Sequence, residues 1–193
     1  MSLTVEKCLQ AWTNSLKQMK VIADIVFFGD SHIYYGNFSP LFPRKVVCNL
    51  GLRGDTVQGM IERVEQVASL EPKMVFLMAG INDVASCSID LFENRYELLI
   101  NHLLKQVPGV KIIIQSILPV NDIQFDISCN NNQIVYYNKV IERLARERHL
   151  HFINLYHAYV NNGLLPEEYT TDGIHLNDNA YGKWYEEIRK NIV

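Results

Sequence analysis

The sequence predicts a doubly wound α/β domain of three layers, a parallel sheet of five strands in the order 2-1-3-4-5 between two helical layers. Three observations carry the prediction. Short apolar runs alternate with longer segments of helical periodicity, the signature of βαβ units. The apolar runs are too continuous for strands wetted on one face, so both faces are buried, as in parallel sheets. Finally, 193 residues with no internal repeat and no Pro/Gly/Ser linker suit a single domain, 1–193. The strand order is the common arrangement for five doubly wound strands.

The elements follow in order. Val5, Leu9, Trp12, Leu16 and Met19 recur at helical spacing and predict a helix ahead of the sheet. Residues 21–28, rich in Val, Ile and Phe, form the first strand, and residues 45–50 the second. Val57, Ile61, Val64 and Ala68 then step by four, three and four along one helical face. Residues 74–79 make the third strand, followed by a helix whose buried stripe is Phe92, Tyr96, Leu99 and Leu103. Residues 110–117 make the fourth strand, with Ile134, Tyr137, Ile141 and Leu144 on the next helix. Residues 151–155 are the fifth strand, and Ala180, Trp184, Ile188 and Ile192 mark the last helix. Two connections, 118–131 and 156–177, are unusually long, and loops of that length are commonly functional.

Composition narrows the function classes. The chain is 48% hydrophobic and 20% charged, with a net charge of -3, which is ordinary for a globular protein. That charge gives no electrostatic reason to expect nucleic acid or an anionic membrane as partner. The N-terminus has no apolar core run with a cleavage site, and no segment approaches a membrane span, so the expected address is cytoplasmic. Cys8, Cys48, Cys87 and Cys129 are scattered and form no CxxC or Cys/His zinc spacing, so they read as small core residues with free thiols. A homodimer is left open, since no patch in the sequence identifies one.

The polar clusters are more telling than the composition. Gly29-Asp30-Ser31 follows strand one, Gly51–Thr56 follows strand two, Gly80-Ile81-Asn82-Asp83 follows strand three, and Asp172-Gly173-Ile174-His175 lies in the loop after strand five. Parallel strands point their C-terminal ends to one edge, so all four clusters meet there. Each is commonplace alone: a turn, a helix cap, or a surface pair. The second lacks the Lys of a phosphate-binding loop, which sets that motif aside. Together they supply what an activated serine needs. A base must take the Ser31 proton and an acid must fix the base's tautomer, roles open to His175 and Asp172. The Ser31 and Gly54 N–H groups and the Asn82 amide suit the developing oxyanion.

In their order and wording "FFGDSH", "NLGLRGDT", "MAGIND" and "DGIHLND" resemble the four blocks of the SGNH hydrolases, the GDSL-type esterases and lipases. The likeness runs from Gly29 to Asp178 and is nearest to the small acylhydrolases related to platelet-activating-factor acetylhydrolase. It implies a flavodoxin-like α/β/α fold and carboxylic ester hydrolysis without metal or organic cofactor. Carried over, Ser31 is the nucleophile, Asp172 and His175 complete a triad, and Ser31, Gly54 and Asn82 are the oxyanion donors. The chain departs from the pattern at His32, where the family name has leucine. That ring is expected to be partly exposed at the start of a helix, without an acid partner, where it could touch substrate.

The expected reaction is removal of a short acyl group, acetyl first, from a polar alcohol such as a carbohydrate, through a covalent acyl-enzyme. Tyr34, Tyr35 and Phe38, with the two long loops, are expected to shape the substrate pocket. A lysophospholipase-like activity on lipid esters is the alternative, and a non-catalytic flavodoxin-like binding module a more distant one. The carboxylates stand isolated among glycines and amides, which argues against a site for a hard cation.

Overall fold

The computed structural model describes residues 21–192. The helix expected around Val5, Leu9, Trp12, Leu16 and Met19 lies outside the described residues. Five strands, β1 (Ile25–Gly29), β2 (Val47–Gly51), β3 (Met74–Met78), β4 (Lys111–Gln115) and β5 (His151–Ile153), form one sheet in the order β2-β1-β3-β4-β5. Every pairing is parallel. The helices are α1 (Ser31–Tyr35), α2 (Val57–Glu62), α3 (Val64–Ala68), α4 (Ile81–Val84), α5 (Ile89–Gln106), α6 (Asn131–Glu147), α7 (Leu155–Tyr159) and α8 (Asp178–Ile192).

Alternation of side chains along each strand divides the core between the two faces. Val26, Phe28, Val75, Leu77, Ile112 and Ile114 point toward α2, α3, α5 and α6. Phe27, Phe76 and Ile113 point the other way, toward α1, α7 and α8. On that second face Phe27 stacks between Phe38 and Phe76, with ring centroids 3.8 and 4.4 Å away. The indole of Trp184, fully buried, donates to Gln115 Oε1 at 2.6 Å and fixes α8 against β4. Among the described residues no helix is long and apolar enough to cross a membrane.

Three local departures from the sequence expectation have physical causes. The helical segment expected from Val57 to Ala68 breaks at Arg63, which adopts φ -116°, ψ 16°. The buried guanidinium turns inward there, donating to Asp55 Oδ2 (2.6 Å), Leu50 O (2.9 Å) and Gly29 O (2.9 Å). Strand five stops at Ile153 because the Asn154 side chain accepts the His157 N–H and caps α7, a short helix inside what reads as a loop. Phe38 is 2% exposed in its aromatic stack, so it belongs to the core and does not shape a pocket. Of the cysteines, Cys129 is buried and Cys48 and Cys87 are half-buried, each a free thiol; Cys8 lies outside the described residues.

Candidate active site

The hydroxyl of Ser31 is placed by the abrupt end of β1. Asp30 caps α1, its carboxylate accepting the His32 N–H at 2.9 Å, so Ser31 becomes the first helical residue at the sheet edge. The helix then crosses the end of β2. A Cβ on Gly51 would lie 2.1 Å from Tyr34 N, and only glycine admits that crossing.

The expected base, His175, comes from the other end of the chain. Thr170 and Leu176 bridge antiparallel and close the loop that carries Asp172 and His175. Asp172 Oδ1 accepts the N–H groups of Ile174 (3.0 Å) and His175 (2.7 Å), which curls the loop so that Asp172 Oδ2 meets His175 Nδ1 at 2.6 Å. His175 Nε2 stands 2.9 Å from Ser31 Oγ. Burial alone would push the Asp172 carboxyl up, but the His175 ring and those two N–H groups outweigh it, and it is held below the usual range. An ionised Asp172 accepts the Nδ1 proton, which leaves the Nε2 lone pair for the Ser31 hydroxyl. The other long loop, 118–131, braces this one, since the Asn121 N–H donates to Gly173 O at 2.8 Å.

The expected oxyanion donors line the adjoining strand ends. Gly54 sits at φ +72° in an exposed turn, a conformation that favours glycine, with open space where a Cβ would stand. That turn is tied down by the Leu52 N–H to Gly29 O (3.0 Å) and the Asp55 N–H to Leu52 O (3.2 Å). Asn82 Nδ2 donates one hydrogen to Asp55 O at 2.8 Å, which orients the amide and leaves its second hydrogen for a ligand. Asp83 accepts the Val57 N–H at 3.0 Å and joins the turn after β3 to α2.

His32 is not the exposed ring that the sequence suggests. It is 1% exposed, with Nδ1 3.3 Å from Asp30 Oδ1 and Nε2 3.0 Å from Ile174 O. It has an acid partner, and burial takes it out of reach of substrate. The cause lies 142 residues away: the loop bearing His175 folds over α1 and sets a carbonyl on the ring. Tyr34 and Tyr35 are exposed, as a substrate rim requires, and Tyr35 meets His175 edge-on at 5.6 Å between ring centroids. Arg53, which sequence reasoning left out, places its guanidinium carbon 5.7 Å from the centre of the Tyr35 ring. Its position next to Gly54 was the available signal.

The GDSL-like lipase/acylhydrolase family model matches residues 27–183 of the 193. No curated protein matches the chain in sequence. Among solved structures, a Streptococcus pneumonia protein described as a candidate platelet activating factor is 25% identical, with TM-score 0.83 over 94% of this chain and 91% of its own. A GDSL-like lipase from Bacteroides thetaiotaomicron is 24% identical, with TM-score 0.79 over 96% of each chain. An acetyl xylan esterase is 23% identical, with TM-score 0.76 over 88% of this chain and 99% of its own. With most of its length inside the family match, and the three-layer fold in common, the chain belongs to the GDSL-like lipase/acylhydrolase family, an esterase by class.

Proposed function

We propose that the protein hydrolyses small carboxylic esters through a covalent acyl-enzyme formed on Ser31. His175 Nε2 takes the Ser31 proton as Oγ bonds to the ester carbonyl carbon, and the carbonyl electrons move onto oxygen. That oxyanion takes the Ser31 and Gly54 N–H groups and the free Asn82 amide hydrogen. Collapse expels the alkoxide, which receives the proton from His175 and leaves as the alcohol. Water then repeats the sequence on the acyl group and releases the acid. Asp172 stays ionised and stabilises the imidazolium in both steps. The observation that carries the reading is the continuous row from Asp172 Oδ2 to His175 Nδ1 (2.6 Å) and from His175 Nε2 to Ser31 Oγ (2.9 Å).

The substrate of this proposal is a short acyl ester, acetyl first, of a polar alcohol such as a carbohydrate. The rim beside His175 supports it. Tyr34, Tyr35 and Arg53 offer flat ring faces joined to hydroxyl and guanidinium donors, which suits a sugar better than an alkyl chain. The fold shared with an acetyl xylan esterase points the same way. A p-nitrophenyl ester series from acetate to decanoate, run on the wild type and Ser31→Ala, tests both parts. Turnover is expected to peak at acetate and to vanish in the variant. A peak at long acyl chains would move the substrate to lipid-like esters.

A further inference from the structure

Both ring nitrogens of His32 face acceptors. Ile174 O, 3.0 Å from Nε2, can only accept, so Nε2 carries a hydrogen. Asp30 Oδ1, 3.3 Å from Nδ1, already accepts the His32 N–H. A neutral ring protonated at Nε2 would turn its Nδ1 lone pair on that carboxylate. A ring protonated on both nitrogens satisfies both contacts. Burial opposes the charge, but the Asp30 carboxylate, the Ile174 carbonyl and the Asp172 charge outweigh it, and the His32 pKa is raised. The backbone is fixed as well, because the Tyr181 hydroxyl donates to His32 O at 2.7 Å.

The connectivity gives this buried cation a task. His32 follows Ser31 in the chain and Ile174 precedes His175, so one side chain spans the two segments that have to meet. The rings of His32 and His175 lie 5.6 Å apart, centre to centre. We propose that His32 is a positioning residue, a buried imidazolium seated on Asp30 that grips the Ile174 carbonyl and so holds His175 Nε2 against Ser31 Oγ. The inference rests on the acyl-transfer reading above.

A pH dependence follows. The groups facing the ring are Asp30 from its own turn and Asp172 and His175 from the loop after β5, while the Tyr181 hydroxyl from α8 meets the His32 backbone carbonyl. Behind Asp30 stand Asp55, Asp83 and Arg63, which share its field. Because the folded pKa is raised above the ordinary value of 6.5, the strut is complete below that pH and is lost as pH rises through the folded value. The proton leaves Nδ1, the lone pair then faces Asp30, and the grip on the Ile174 loop weakens. Activity should therefore decline on the alkaline side.

Two measurements test this on the full chain. In ¹⁵N-histidine-labelled wild type, both His32 ring nitrogens should show protonated shifts at pH 7. A neutral His32 at that pH would overturn the proposal even if no variant folds. With p-nitrophenyl acetate from pH 6 to 9, His32→Asn, too short to reach Ile174 O, should lower kcat about 10- to 100-fold, the scale set by misplacing a reacting group. KM should stay within about twofold. His32→Gln, whose amide reaches the carbonyl without charge, should restore most of the rate and lose the alkaline decline. An Asn variant with wild-type kcat and pH profile would overturn the strut, and beside an inactive Ser31→Ala it would leave acyl transfer standing. An active Ser31→Ala would instead overturn acyl transfer, a failure that the ring shifts tell apart.

Discussion

Ser31 Oγ and His175 Nε2 stand 2.9 Å apart although 144 residues separate them in the chain. Folding holds that contact through three independent ties. The first strand ends at the sheet edge, the Asp172 turn orients the imidazole, and the loop after β4 braces the loop after β5.

Asn82 should matter to the transition state more than to binding. Its amide is held by Asp55 O, so its free hydrogen is fixed before substrate arrives. Asn82→Ala should lower kcat by about 10²–10³ with little change in KM, the usual result of removing an oxyanion donor. Steady-state kinetics on p-nitrophenyl acetate check this, and an unchanged kcat would remove Asn82 from the site.

Arg63 joins the ends of β1 and β2 to the turn that carries Gly54. Arg63→Leu leaves the Asp55 carboxylate buried without its partner, so urea unfolding should show a loss of about 3–5 kcal/mol. Adding Asp55→Leu should recover part of that loss, because no orphaned charge remains. A single variant as stable as the double one would contradict the pairing.

Asp83 should make stability depend on pH in an unusual direction. Burial pushes its carboxyl up to about 6, against the Val57 N–H and the Arg95 charge, while the Asp30 and Asp55 charges add to the rise. Between the ordinary value of 3.8 and about 6 the folded chain binds the proton that the unfolded chain has released. Stability therefore falls as pH rises through that window. Asp83→Asn keeps an acceptor for the Val57 N–H and carries no charge. Its stability relative to wild type should climb between pH 4 and pH 7 by roughly 1–3 kcal/mol. A difference constant over that range would show that Asp83 is not strained by burial.

Much of this was legible in the sequence because the informative features are local. Continuous Val/Ile/Phe runs marked the buried strands, and Gly-Asp-Ser, Gly-x-x-Gly, Gly-x-Asn and Asp-x-x-His each stood where a strand ends or a helix begins. The features that escaped are those set by distant partners. The break at Arg63 comes from carbonyls at Gly29 and Leu50, which helical periodicity cannot register. The burial of His32 comes from Ile174, and the loss of Phe38 to the core comes from its stack on Phe27. Tyr34 and Tyr35 stay largely exposed, with Tyr35 edge-on to His175.

The central claim is that Ser31 is the nucleophile and is activated by His175. Intact-mass and peptide mapping after treatment with a p-nitrophenyl phosphonate tests it most directly. The account predicts a single adduct on Ser31, formed in step with loss of esterase activity and absent from folded His175→Ala. Full inhibition with Ser31 unlabelled, or equal labelling in the His175 variant, would contradict it.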